Sequence, residues 1–365
     1  MQAKTSRAPF INASTPVGIL LVLLLAALVL YRAGAVAPVT SSPLTPPQMW
    51  RIPRDAEATD VAGIGPFTLL LAKDRLGSPA LMVLDSQGRL VRIEPLGSPG
   101  RFELVSSPLG GLCLARDQGA LALYGVDGKR RWTVHLPGPI TALAADDAGI
   151  AVAFGAPPGS PPGDGFAIVT PAGEMTKPIY LSYAAITALA RGPGHATVAA
   201  VFAADPTKAA EALLFFQPDG KVFSVSAKGT GSARLAAGAE AFFVGTANQL
   251  TAYDSSGNRR WTVRRRGIKC LVAGPGTVVI ADGGSMVAYS AADGKLLWRR
   301  PAGRPISALI ANTDGIVAAI GGALEAFAWD GAPRWALPEA GDIWDLNGYT
   351  LVVIEKETVA AYRTH

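Results

Sequence analysis

The chain has 365 residues, 49% of them hydrophobic and only 17% charged, with a formal net charge of +5. That supplies apolar residues for one large core or two ordinary ones, and the mild positive excess gives no ground for a nucleic-acid partner. The two cysteines and three histidines show no CxxC, CxxCH or Cys/His cluster, so metal and haem centres lack their usual ligands and no cofactor is expected.

The first element is an apolar run, PVGILLVLLLAALVLYR, from Pro16 to Arg32. It follows Lys4 and Arg7, the charge bias of a cytoplasmic N-terminus. Its core is short for a membrane span and long for a signal h-region. Arg32 closes it like a stop, which favours an uncleaved transmembrane helix over residues 17–32 after a short cytoplasmic segment, 1–16. Ala33, Ala35 and Ala37 leave a signal-peptide cleavage site open as the alternative. Both readings put the remainder outside the cytoplasm, membrane-tethered or secreted. Residues 33–48, rich in Pro, Ser and Thr, read as a linker.

From residue 49 to the C-terminus one unit recurs: an apolar run, a turn ending in Gly, three residues, then often Trp. The turn glycines are Gly88, Gly128, Gly173, Gly220, Gly257, Gly294 and Gly331, at intervals of 40, 45, 47, 37, 37 and 37 residues. Trp132, Trp261, Trp298 and Trp335 stand four residues after their glycines; Arg92, Lys177 and Ser224 stand there in the other units. Within a unit, as in ISALIAN, GIVAAIGG, ALEAFAW and APRWALP, four short β-rich runs are separated by turn residues. Four strands per roughly 40 residues predicts a β-propeller blade. After Gly331 the chain supplies only three further strands. QMWRIPR, Gln48 to Arg54, resembles a fourth strand carrying Trp50, so the expectation is an eight-bladed propeller whose last blade is completed by the N-terminal strand. Cys113 and Cys270 then fall in blades two and six, on opposite sides of the ring, too far apart for a disulfide.

The unit A-x-D/S-…-G-x-x-x-W resembles the repeat of PQQ-like (pyrroloquinoline-quinone-type) eight-bladed propellers. It is carried by Ala252, Asp254, Gly257 and Trp261, by Ala288, Gly294 and Trp298, and by Ala328, Gly331 and Trp335. The resemblance implies that Trp50, Trp132, Trp261, Trp298 and Trp335 dock neighbouring blades. It covers two classes: quinone-dependent dehydrogenases, and non-catalytic scaffolds such as the periplasmic accessory propeller of outer-membrane barrel assembly. The chain departs from the enzymes, having neither their adjacent Cys pair nor a carboxylate-rich calcium loop. It departs from the assembly propeller in lacking a lipidated Cys. A non-enzymatic, extracytoplasmic protein-binding scaffold of an envelope or membrane complex is therefore expected. A quinone-dependent dehydrogenase and a carbohydrate or cell-wall binding module are the alternatives.

His135, His195 and His365 have no carboxylate at ligand spacing and read as surface or turn residues; Asp146 and Asp147 read as a solvated hairpin tip. The basic residues are the partner-binding candidates. Arg264, Arg265 and Arg266 follow the fourth strand of blade five, and Arg299, Arg300 and Arg304 occupy the equivalent place in blade six. Two insertions, PPGSPPGDG with Pro161 and Asp164 and ADPTKAAE with Lys208, fall between strands two and three of blades three and four. In an up-and-down blade those loops share a rim with the blade-to-blade connectors, and insertions gathered on one face commonly mark a binding face. Edge protection by charge is the competing reading of the arginines.

Overall fold

The computed structural model describes residues 44–53, 57–64, 66–73, 78–96, 103–107, 112–116, 119–125, 127–157, 159–160, 162–203, 211–227, 233–338, 343–347, 350–355 and 358–364. The apolar run at 17–32, Pro161, Lys208 and His365 lie outside them. Among the described residues no helix is long and apolar enough to cross a membrane.

The described strands pair into eight antiparallel sheets of four strands. In chain order the first seven span residues 57–95, 103–135, 140–180, 184–226, 234–264, 270–301 and 306–337. The eighth combines the three C-terminal strands, 343–363, with the N-terminal strand Gln48–Pro53. Each sheet is an up-and-down meander and the fold is propeller-like, all-β.

Burial explains the sequence pattern. In the sixth sheet the second strand, Thr277–Ala281, is buried at every residue. Val278 and Ile280 pack towards the fifth sheet, Val279 and Ala281 towards the seventh. A strand covered on both faces reads as an unbroken apolar run. The fourth strand of the same sheet, Leu296–Pro301, lies at its outer edge and from Leu297 on alternates exposed and half-buried residues. Eight apolar clusters each join one sheet to the next. The last of them packs Trp50, Val352, Ile354 and Val359 of the eighth sheet on Ala58, Val61, Leu70 and Leu84 of the first.

The turn glycines have a specific reason to be glycine. All seven hold positive φ, for example 71° at Gly294 and 82° at Gly257, a region that costs other residues about 1–2 kcal/mol. At four of them the preceding sheet lays an indole on the missing side chain. A Cβ on Gly88, Gly173, Gly294 or Gly331 would come within 2.7–2.9 Å of the ring of Trp50, Trp132, Trp261 or Trp298. Three of these indoles also donate a hydrogen bond from Nε1 across the joint, Trp132 to Pro171 O, Trp261 to Ala291 O and Trp298 to Trp329 O, at 2.9–3.0 Å. Trp335 is buried with Leu346, Leu351 and Val353 of the eighth sheet. Where Trp is missing, other contacts span the joint: Arg92 reaches Gly128 O, and Gln217 reaches Ser255 O beside Phe215 on Gly257. Gly220, facing Lys177's sheet, has no atom near its Cβ position. That sheet's fourth strand is reduced to Ile179–Tyr180.

The N-terminal strand is fastened by backbone and side chains. Trp50 to Pro53 pair in continuous register with Ala361 to Thr358. Arg51 lies 3.0 Å from Glu355 and donates to the Tyr362 hydroxyl at 3.3 Å, while Thr358 holds the other carboxylate oxygen at 2.8 Å. The end of the expected linker is part of the fold. Leu44 forms a parallel bridge with Trp335, Ala336 N donates to Leu44 O, and Arg363 N donates to Pro47 O.

Two stability predictions follow from these contacts. Gly294→Ala and Gly220→Ala share the left-handed backbone penalty, but only the first collides with an indole. Gly294→Ala should have the lower urea midpoint; equal midpoints would contradict the docking account. Deleting residues 1–54 removes the N-terminal strand and should lower the melting temperature and promote aggregation, whereas deleting residues 1–42 should do neither.

Candidate functional site

In each meander the turns between strands two and three fall on the same rim as the connectors between sheets, and backbone hydrogen bonds weave them together. Arg265 N donates to Asn248 O and Gly267 N to Ala247 O; Ala302 N donates to Gly284 O, and Gly321 N to Pro305 O. The basic residues singled out in the sequence lie on or near this rim, but the structure divides them.

Arg265 is half-buried rather than free. Its Nε lies 3.0 Å from Asp282 Oδ2, out of line for a hydrogen bond, so it is an ion pair tying the connector to the next sheet's turn. Arg300 turns towards the seventh sheet, with its guanidinium 4.8 Å from the centre of the Phe327 ring and a bond to Gly331 O at 3.4 Å. A cation on an aromatic face at a sheet joint is a packing contact. Arg299 donates to the Ser285 hydroxyl and Arg304 to Gly321 O, at 3.2 and 3.3 Å. Arg264 and Arg266 are exposed. Neither has an ion pair or side-chain hydrogen bond among the described residues. The six arginines thus differ in their surroundings: Arg265 and Arg300 have partners within the fold, invisible in sequence because those partners lie 17 and 27 residues downstream.

Asp164 likewise has partners within the fold. It does not project from its insertion. Its carboxylate accepts a 2.7 Å bond from Ile186 N and a 3.5 Å bond from Thr141 Oγ1. Burial pushes its carboxyl up, and those two hydrogen bonds pull against that shift. Leu181 N bonds Asp164 O, Asp164 N bonds Ala184 O, and Tyr183 N bonds Pro162 O at 2.7 Å, so the insertion is stitched to the connector between the third and fourth sheets. This stitching holds Tyr183 at φ 59°, rare for a non-glycine residue. The side chain stays outside: Tyr183 is exposed, as are its neighbours Ile179 and Tyr180 and, at the same end of the fourth sheet, Phe202. Sequence reasoning missed this apolar patch, since an exposed Tyr reads the same as a buried one without the backbone that presents it.

On the opposite rim, turns between strands one and two bring together residues read as unrelated. His195 Nδ1 lies 3.1 Å from Asp146 Oδ2 and 3.5 Å from Asp147 Oδ1. Asp146 is not a solvated tip: its other oxygen lies 2.9 Å from Nε of Arg191, whose side chain is 3% exposed. His195 is exposed in a turn, as expected, and its carboxylate neighbour comes from 49 residues away, outside any local ligand spacing. The cysteines are placed as far as their sheets: Cys113 in the second, Cys270 in the sixth, and Cys270 is a free thiol whose pKa burial raises.

Residues 267–364 match the family model described as outer membrane protein assembly factor BamB. No curated protein matches the sequence. Among solved structures, Sqt1 from Saccharomyces cerevisiae is 10% identical, with a TM-score of 0.59, covering 88% of this chain and 99% of that one. The dihydro-heme d1 dehydrogenase NirN is 14% identical, with a TM-score of 0.58 and coverages of 90% and 74%. BamB from Moraxella catarrhalis is 15% identical, with a TM-score of 0.48 and coverages of 86% and 85%. At such identities the likeness concerns the fold. The match of the C-terminal repeats, together with the Gly–Trp unit, supports a PQQ-like repeat β-propeller.

Proposed function

We propose that the chain is an eight-bladed PQQ-like propeller that binds protein partners through the rim carrying the sheet-to-sheet connectors. We further propose that residues 17–32 anchor it in the cytoplasmic membrane, after a short cytoplasmic segment, with residues 49–365 as an extracytoplasmic scaffold in an envelope complex. The match of residues 267–364 to the BamB model supports a protein-interaction role. The observation that carries the choice of rim is the pairing of unlike surfaces on it. Exposed Arg264 and Arg266 supply charge without an ion pair among the described residues, and Ile179, Tyr180, Tyr183 and Phe202 supply exposed apolar area. Tyr and Arg are the residue types that interfaces concentrate at their centres, and a rim of one charge sign steers an acidic partner. The contact set is therefore Arg264 and Arg266, with Arg299 and Arg304 beside them, while Arg265, Arg300 and Asp164 position the loops.

The test is recovery of partners from membrane-extracted protein by pull-down and mass spectrometry. Arg264→Glu with Arg266→Glu should cut recovery of the partner about tenfold and flatten its salt dependence, because screening leaves little force beyond about 8 Å. Lys129→Glu with Lys295→Glu, on the opposite rim, should leave recovery unchanged. Equal effects from the two pairs would reduce the arginines to edge protection.

A further inference from the structure

The joint between the third and fourth sheets is built differently from its neighbours. No indole or substitute side chain approaches Gly220. On the rim of the strand-one-to-two turns, this joint instead carries Asp146 and Asp147 from the third sheet and His195 from the fourth. One ligand-type atom from each lies within 4.8 Å of the other two. They are not three surface groups that happen to be near. The imidazole comes from a separate sheet, and Oδ1 of Asp146 is engaged elsewhere: it accepts hydrogen bonds from Ala148 N and Gly149 N at 3.0 Å and lies 2.9 Å from Nε of the buried Arg191, which leaves Oδ2 turned to His195. A ligating carboxylate held through its second oxygen is the arrangement that fixes a metal ligand's orientation. Asp147 and His195 have side chains 85% and 50% exposed, so the cluster opens to solvent and has an entry path.

We propose that Asp146, Asp147 and His195 bind a divalent transition-metal ion of the zinc class, which bridges the third and fourth sheets, the joint whose turn glycine has no indole on it. The donor chemistry selects the class. One imidazole nitrogen and two carboxylate oxygens suit Zn²⁺, Ni²⁺ or Cu²⁺, whereas Ca²⁺ and Mg²⁺ call for all-oxygen shells. Asp146 gives one oxygen, since Ala148 N, Gly149 N and the Arg191 guanidinium take the other. Three protein ligands leave at least one position for water or for a donor from a bound partner. Nδ1 faces the carboxylates, so it is the imidazole nitrogen that ligates, through its lone pair.

The test is isothermal titration of chelator-stripped full-length protein with Zn²⁺, in a background with Cys113→Ser and Cys270→Ser so that no thiol competes. One ion should bind per chain, and amide exchange across residues 184–203 should slow on binding. His195→Ala should abolish both effects. Asp147→Asn, at an exposed position that leaves folding intact, should weaken binding about tenfold, the scale on which loss of one metal-site group acts. His135→Ala should change neither, and Ca²⁺ should not substitute. Absence of saturable binding would overturn the proposal, as would zinc binding that survives His195→Ala, or binding without slowed exchange at this joint. In those cases the three residues are a charge clasp between sheets.

Discussion

An indole laid on a glycine is the contact on which the repeat depends. The turn at the outer end of each of the first seven sheets holds a left-handed residue, and glycine takes that conformation without strain. The missing side chain then leaves a flat seat, which the preceding sheet fills with Trp50, Trp132, Trp261 or Trp298. One residue type thus satisfies the turn and receives the neighbour. This ties the spacing inside a sheet to the packing between sheets, so the Gly-to-Trp interval is kept while the lengths between units vary. Ring closure uses the same device, because Trp50 of the N-terminal strand sits on Gly88 of the first sheet.

Charged groups divide along the same lines. Those whose partners lie on an adjacent sheet, Arg265 with Asp282, Arg300 with Phe327 and Arg191 with Asp146, bind sheets together. Those at the turn between strands three and four serve the turn itself. Asp293 accepts bonds from Lys295 and Ser290, which hold its carboxyl down to about 2. The groups proposed to meet other molecules are local: the exposed arginines and the apolar patch on one rim, and the Asp146–Asp147–His195 cluster on the other.

Much of the fold was legible because its requirements are local. A glycine that must have positive φ, a Trp four residues later and a two-sided apolar strand leave marks within one unit, so the strands around Gly257, Gly294 and Gly331 could be read directly. The fourth strand of the third sheet could not, since Lys177 and Pro178 give no strand pattern and Ile179–Tyr180 pair on register alone. The candidate site was legible in address but not in detail. Loop order assigns Arg264 to Arg266 and Asp164 to one rim. Whether each side chain is free depends on residues in the following unit, such as Ile186 N for Asp164. His195 and Asp146 are 49 residues apart, and only the turn of one sheet against the next brings them together.

The central claim is that an N-terminal strand completes the last sheet in a defined register. It is tested most directly by a cross-link. Arg51 and Ala360 are Cα partners across the closing pair, and antiparallel partners lie about 4.5–5.5 Å apart, within disulfide range. In protein carrying Arg51→Cys and Ala360→Cys, with Cys113→Ser and Cys270→Ser, a non-reducing peptide map should show an intramolecular link between positions 51 and 360. Moving the second cysteine to Val359 should suppress it. Links found only between chains, or equally at 359 and 360, would contradict closure by this strand in this register.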